Sequence, residues 1–199
     1  MKAKLWKRIF YPFEHNTSNA LLVVGILGYL GLSLLGSQWN FISDGIIQMH
    51  GSKPRALWQV LINNAINSLS LSVLLFLLAR LVYSKTRYID VLTVVLISQL
   101  CLLINGLLLF NPAQQAAQKD LIPIILKGDF TLNEIQVNQF VWMTILGILA
   151  LVFIFYFFVL LIQGMKIAMN SKKGYHAVFI IVFTLLLDII LWIVRPYLG

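Results

Sequence analysis

The sequence predicts an all-α integral membrane protein: a bundle of five transmembrane helices with short interfacial helices in the outer loops. Three observations carry this prediction. Hydrophobic residues make up 60% of the 199 residues, charged residues only 11%, and the mean hydropathy is +0.88. Soluble domains hold about 45–50% apolar and about 25% charged residues. Five apolar stretches reach the roughly 20 residues that a bilayer core of about 30 Å requires. A soluble fold of this size still exposes roughly 30% of its unfolded-chain area, too much to hide such a composition. A soluble enzyme, a disordered chain and a nucleic-acid-binding domain are set aside on these grounds.

The first span is expected over 19–37, with Thr17 and Ser18 as helix caps. Eighteen residues precede it, including Trp6, Phe10, Tyr11 and Phe13. That leader is longer than a signal peptide's, so the span reads as retained. Gly25, Gly28, Gly31 and Gly36 thin it for close packing, within the protomer or in a dimer. The second span covers about 56–83, with Pro54 in its first turn, where a missing N–H costs nothing. The third covers about 89–110 and ends at Asn111-Pro112. Thr131-Leu132-Asn133-Glu134 reads as a capping box, so the fourth helix starts near Leu132 and its span runs over 140–164. Gly174 separates it from the fifth span, 177–194.

Lysine and arginine counts set the orientation. With the N-terminus inside, Lys2, Lys4, Lys7, Arg8, Arg80, Lys85, Arg87, Lys166, Lys172 and Lys173 lie on the inner side. The outer side holds Lys53, Arg55, Lys119, Lys127 and Arg195. The net charge of +8 and the pI of about 9.8 are therefore read as topological. There is no basic stripe with interleaved aromatics of the kind that grips nucleic acid.

In the first outer loop Trp39, Ile42, Ile46 and Met49 repeat at helical spacing, which predicts a short helix lying in the interface. In the second, residues 121–126 are too short to span and are interrupted by Pro123, so they dip into the headgroups or cover the bundle end.

Three segments carry a resemblance to a known family: Phe41-Ile-Ser-Asp-Gly-Ile-Ile-Gln-Met-His50, Thr86-Arg-Tyr-Ile-Asp-Val-Leu92 and Gly164-Met-Lys-Ile-Ala-Met-Asn-Ser-Lys-Lys173. With five spans, a basic inner N-terminal tail and a very short outer C-terminus, the chain resembles the Yip family, membrane proteins named for interaction with Ypt/Rab GTPases. The likeness is strongest to the compact bacterial members and extends over about Leu5 to Tyr197. It implies a five-span fold and residence in a membrane, here the bacterial cytoplasmic membrane.

No catalytic constellation stands out. His-Glu-x-x-His, Gly-x-Ser-x-Gly and Walker-type motifs are absent. His15, His50 and His176 are expected on different sides, which leaves no metal site, and the one cysteine, Cys101, lies inside an apolar run. No cofactor is implied. The polar residues inside the spans are more informative. Asn63, Asn64, Asn67, Ser68 and Ser72 lie along one side of the second span, with 64, 68 and 72 stacked by fours. In the third span Asp90, Val94, Ser98, Cys101 and Asn105 form a similar stripe, stepping by four, four, three and four. Such stripes face other helices, either as interhelical glue or as the wall of a small polar cavity.

Asp188 is the one acid well inside a span, about 10 Å below the outer end of its helix at 1.5 Å per residue. With Asn63, Asn64, Asn67 and Asn105 it forms an expected polar intramembrane cluster in the outer half of the membrane. Asp188 is expected to face the bundle and to hydrogen-bond to one of these asparagines, with Arg195 as competing ion-pair partner. At the other end Lys2, Lys4, Lys7 and Arg8 flank Leu5, Trp6, Ile9 and Phe10, a basic amphipathic segment suited to anionic lipid headgroups. The functional expectation is a non-catalytic, adaptor-like or membrane-organising protein that contacts lipid, another membrane protein or a second copy of itself. The alternative is a small transporter using the polar faces of the second and third spans.

Overall fold

The computed structural model describes residues 10–126 and 134–198. A short helix, α1 (Pro12–His15), leads into α2 (Ser18–Trp39). An antiparallel hairpin of β1 (Phe41–Ser43) and β2 (Met49–Gly51) follows, pairing Ile42 with His50. Then come α3 (Leu57–Val82), α4 (Tyr88–Ser98), α5 (Leu100–Leu109), α6 (Pro112–Leu126), α7 (Glu134–Ala168) and α8 (Tyr175–Val194). Five segments are long and apolar enough to cross a membrane: α2, α3, α4 together with α5, α7 from Val137 onward, and α8. The chain is thus a polytopic helical membrane protein. Following the charge reading, the end with the α3–α4 and α7–α8 turns is here termed inner, and the end with the hairpin, α6 and the C-terminal segment outer.

The α4–α5 span is the centre of the bundle. Of its apolar window 67% is buried, against 33% for α2 and α3 and 22% for α7 and α8. α2, α3 and α7 all pack on it. A Cβ at Gly25 would overlap Leu96, and one at Gly28 would overlap Leu100, so bare backbone is what lets α2 approach. The first span's glycines are therefore used inside the protomer. On the other flank Leu71, Leu75, Val91, Val95, Phe157, Leu161, Met165 and Ile180 form the main apolar core. Lipid tails are as apolar as these side chains, so this core is stabilised by close packing rather than by exclusion of water.

Local chemistry sets the boundaries. Thr17 Oγ1 accepts from the Ala20 amide and caps α2. Ala56 is the cap residue of α3, its amide donating to Gln59 Oε1, and Pro54 lies two residues further out. Asn111-Pro112 ends one helix and starts the next: Asn111 Oδ1 accepts from the Gln114 amide, and Pro112 is the first residue of α6. The third span, expected as one helix, is broken at Gln99. Ser98 Oγ, next to the break, bonds back to the Val94 carbonyl four residues earlier and competes with the ladder there. α6 covers the outer end and continues through Pro123. α7 has 35 residues, about 50 Å at 1.5 Å per residue, so it outruns a single bilayer core. Of its expected capping box, Thr131 to Asn133 lie outside the described residues.

The interfacial helix expected in the first outer loop is not formed. Asn40 adopts the left-handed conformation (φ 53°), a position that Asn tolerates, and ends α2. The chain then folds into the bundle as a hairpin whose tip, residues 44–48, is re-entrant. Phe41 and Ile46 are each 1% exposed. Phe41 stacks on Phe110 at 4.8 Å and fills the space over Gly36 and Gly106, where added Cβ atoms would collide with it. The apolar spacing that suggests a helix is thus that of a plug, with Ile42 and Ile46 buried and Trp39 and Met49 half-buried around a bend.

Candidate functional site

Non-helical backbone at membrane depth is tolerated only where protein satisfies its N–H and C=O groups. The re-entrant tip meets this condition through Asp188. Its Oδ1 accepts from the Ile47 amide at 3.0 Å, and its Oδ2 accepts from Gln48 Nε2 at 3.1 Å. Asp188 is 5% exposed, so it faces the bundle as expected. Its partners are not those expected. Among the described residues, no asparagine hydrogen-bonds to Asp188. Arg195 is exposed, takes the left-handed cap position of α8 and donates from Nε to the Trp192 carbonyl. Both corrections have one cause: the hairpin brings its own donors to the carboxylate first. Gly45 makes the approach possible, since a methyl group there would overlap the Asp188 carboxylate.

The asparagines serve a different purpose. Asn63 holds both backbone polar groups of Leu198, its Oδ1 accepting from the Leu198 amide (2.8 Å) and its Nδ2 donating to the Leu198 carbonyl (3.3 Å). Asn67 donates to the Ser43 carbonyl (3.0 Å) and accepts from the Tyr197 hydroxyl (2.6 Å). Asn64 donates to Ser33 Oγ at 2.9 Å. One turn further in Ser68 Oγ donates to Gln99 Oε1, and a turn beyond that Ser72 Oγ shares a hydrogen bond with the Tyr88 hydroxyl. The polar face of α3 is therefore a spine that ties α2, the hairpin, α4 and the C-terminal segment to one helix. Asn105 is separate from it: buried on α5, with an Oδ1 that has no hydrogen-bond partner.

Two acids, Asp44 (7% exposed) and Asp188, flank the outer cluster. Asp44 lies 3.3 Å from His50 Nδ1 across the hairpin. Burial, and after it the carboxylates of Asp44 and Asp188, push the Tyr197 hydroxyl above its ordinary pKa of 10.0. Tyr197 consequently stays protonated and remains a donor to Asn67. Chemically the cluster is a clamp: side-chain acceptors and donors hold a buried loop and a chain terminus in place. Among the described residues no group of three or more His, Cys, Asp and Glu side chains could hold a metal ion.

Gln48, Tyr197, Ser43, Ser33 and Gln99 are the functional neighbours that the sequence does not announce. Tyr197 and Gln48 are separated in sequence from their partners by 130 and 140 residues; the place of Gln48 depends on the hairpin turning inward and that of Tyr197 on the C-terminal segment folding back on α3. The usable signal is the Ser43-Asp44-Gly45 run inside an otherwise apolar loop. Lys2, Lys4, Lys7 and Arg8 lie outside the described residues. No protein-family model, curated protein or solved structure matches the chain.

Proposed function

We propose that this chain is a non-catalytic, multi-pass membrane protein of Yip type that works by contact, as an adaptor or membrane-organising factor in the bacterial cytoplasmic membrane. The observation that carries the reading is the fate of the intramembrane polar groups. Asn63, Asn64, Asn67, Ser68 and Ser72 are all occupied by partners within the protein. A solute pathway would need such groups turned to a passage, whereas here they tie helices, hairpin and C-terminal segment to one another. The segments shared with the Yip pattern support the same reading, since Phe41–His50 forms the re-entrant hairpin that organises the outer end. The basic tail with Lys2, Lys4, Lys7 and Arg8 is assigned to anionic headgroups at the inner surface. The remaining contacts are with another membrane protein or a second copy of the chain.

Reconstitution tests the proposal. Purified protein in liposomes is expected to leave the flux of ions and small polar solutes at the level of protein-free liposomes. Cross-linking in native membranes is expected to give a discrete adduct of defined mass. Solute flux well above the protein-free control would overturn the proposal in favour of the transporter reading.

A further inference from the structure

α2 and α7 both pack on the α4–α5 span but leave a gap between them, bridged at the inner end by α1. The gap is an apolar groove of about 360 Å³, lined among others by Val24, Ile97, Cys101, Ile104, Tyr156 and Leu160. Gly25 abuts Leu96 and Ile97, so the two helices run in register, and Leu21 lies level with about Leu92. From that level to Ile104 is twelve residues, about 18 Å at 1.5 Å per residue. One leaflet of hydrocarbon is roughly 15 Å deep.

The groove does not end at bare surface. At the inner end it shares Asn16 and Leu21 with a second, polar cavity of about 240 Å³. That cavity is bounded by Ser18 at the start of α2, Lys85 and Thr86 from the α3–α4 turn, and Asp90 and Thr93 from α4. The Asp90 carboxylate is held by Arg87 through two hydrogen bonds of 2.9 Å, so its charge is already matched. Lys85 belongs to neither ion pair found among the described residues and sets the sign of the cavity as positive. The Thr86 and Thr93 hydroxyls donate to backbone carbonyls, so the groups turned to a ligand are Lys85 and the Ser18 hydroxyl, and an apolar channel of leaflet length thus opens into a cationic chamber at headgroup depth.

We infer that this composite cavity is a binding site for an anionic glycerophospholipid of the leaflet at the inner end. One acyl chain lies in the groove between α2 and α7, and the phosphate sits beside Lys85 and Ser18. Any apolar gap in a membrane is filled by lipid tails; the polar chamber with its lysine turns passive filling into selection for headgroup charge.

The test uses the full-length protein in phosphatidylcholine vesicles containing a minor fraction of a phospholipid with a photoactivatable acyl chain. The headgroup of that probe is either glycerol (anionic) or choline (zwitterionic). Adducts are mapped by peptide mass spectrometry. The anionic probe is expected to label the groove segments, 97–104 and 156–160, more than the open lipid face of α7 around Leu151 and Phe155. It is also expected to exceed the zwitterionic probe by about fivefold, the equivalent of ~1 kcal/mol for one lysine near an anionic group. Lys85→Gln should bring the two probes level in the groove. Val24→Trp should lower groove labelling while leaving labelling of α8 around Ile193 unchanged, and Val24 is 47% exposed, so the larger ring need not disturb the core. Labelling spread in proportion to exposure, equal labelling by both probes in the wild type, or an unchanged preference in Lys85→Gln would each overturn the inference. None of these results bears on solute flux, so the site and the proposed adaptor role fail separately.

Discussion

Replacing Asp188 is the sharpest probe of the re-entrant hairpin. The carboxylate is 5% exposed and accepts from two donors, the Ile47 amide and Gln48 Nε2. Asp188→Leu leaves the Ile47 amide without its acceptor in a half-buried place, at a cost of about 1–3 kcal/mol, whereas the exposed Gln48 side chain can turn to water. The expected loss is therefore about 1–3 kcal/mol, carried mainly by the Ile47 amide. At roughly 2–4 °C per kcal/mol for a chain of this size, the melting temperature of the detergent-solubilised protein should fall by about 2–12 °C. Asp188→Asn keeps the shape. Its Oδ1 still accepts from Ile47, and Gln48 can turn its amide to present Oε1 to the new Nδ2. The loss should then be near 1 kcal/mol, the difference between a charge-assisted and a neutral hydrogen bond. Thermal unfolding followed by intrinsic tryptophan fluorescence reads both variants. A Leu variant that melts with the wild type, or an Asn variant as damaged as the Leu variant, would refute the assignment of Asp188 as the acceptor for the hairpin tip.

Gly45→Ala places a methyl group into the Asp188 carboxylate and should expel the hairpin tip, making the 44–48 segment newly sensitive to protease added from the outer side. Unchanged protease resistance would count against the packing described. Tyr197→Phe removes the bond to Asn67 and should cost about 1 kcal/mol near pH 8. Because the folded-state pKa of Tyr197 is raised, its contribution is fully present below pH 10 and declines as pH rises above it, so the melting-temperature gap between wild type and variant should narrow by about pH 11. For orientation, alkaline phosphatase fused after Gly199 should be active and after Lys173 inactive; the reverse pattern would invert the inner and outer assignment.

The membrane class and the five spans were legible because they depend on composition and on runs of about 20 apolar residues, which are local quantities. Helix limits at Thr17, Asn111-Pro112 and Gly174 were legible for the same reason, since caps act within one turn. The polar face of α3 could also be read, as stacking by fours is a property of the helix alone.

Who binds to that face is another matter. Asn63 and Asn67 are occupied by Leu198 and Tyr197 once the C-terminal segment folds back on α3, and Asn67 also by Ser43 and Asp188 by Ile47 and Gln48 once the first outer loop turns inward. Helical and re-entrant readings of that loop have nearly the same local pattern of apolar residues. Their difference lies in the room over Gly36 and Gly106, which Phe41 fills, and in the acceptor that Asp188 offers from more than a hundred residues away. The groove between α2 and α7 is likewise a matter of tertiary structure, because a gap is defined by which helices do not touch. Periodicity tells which face of a helix is buried. Only packing in three dimensions decides what is buried against it, because hydrogen bonds and steric fit depend on distances that sequence separation does not encode.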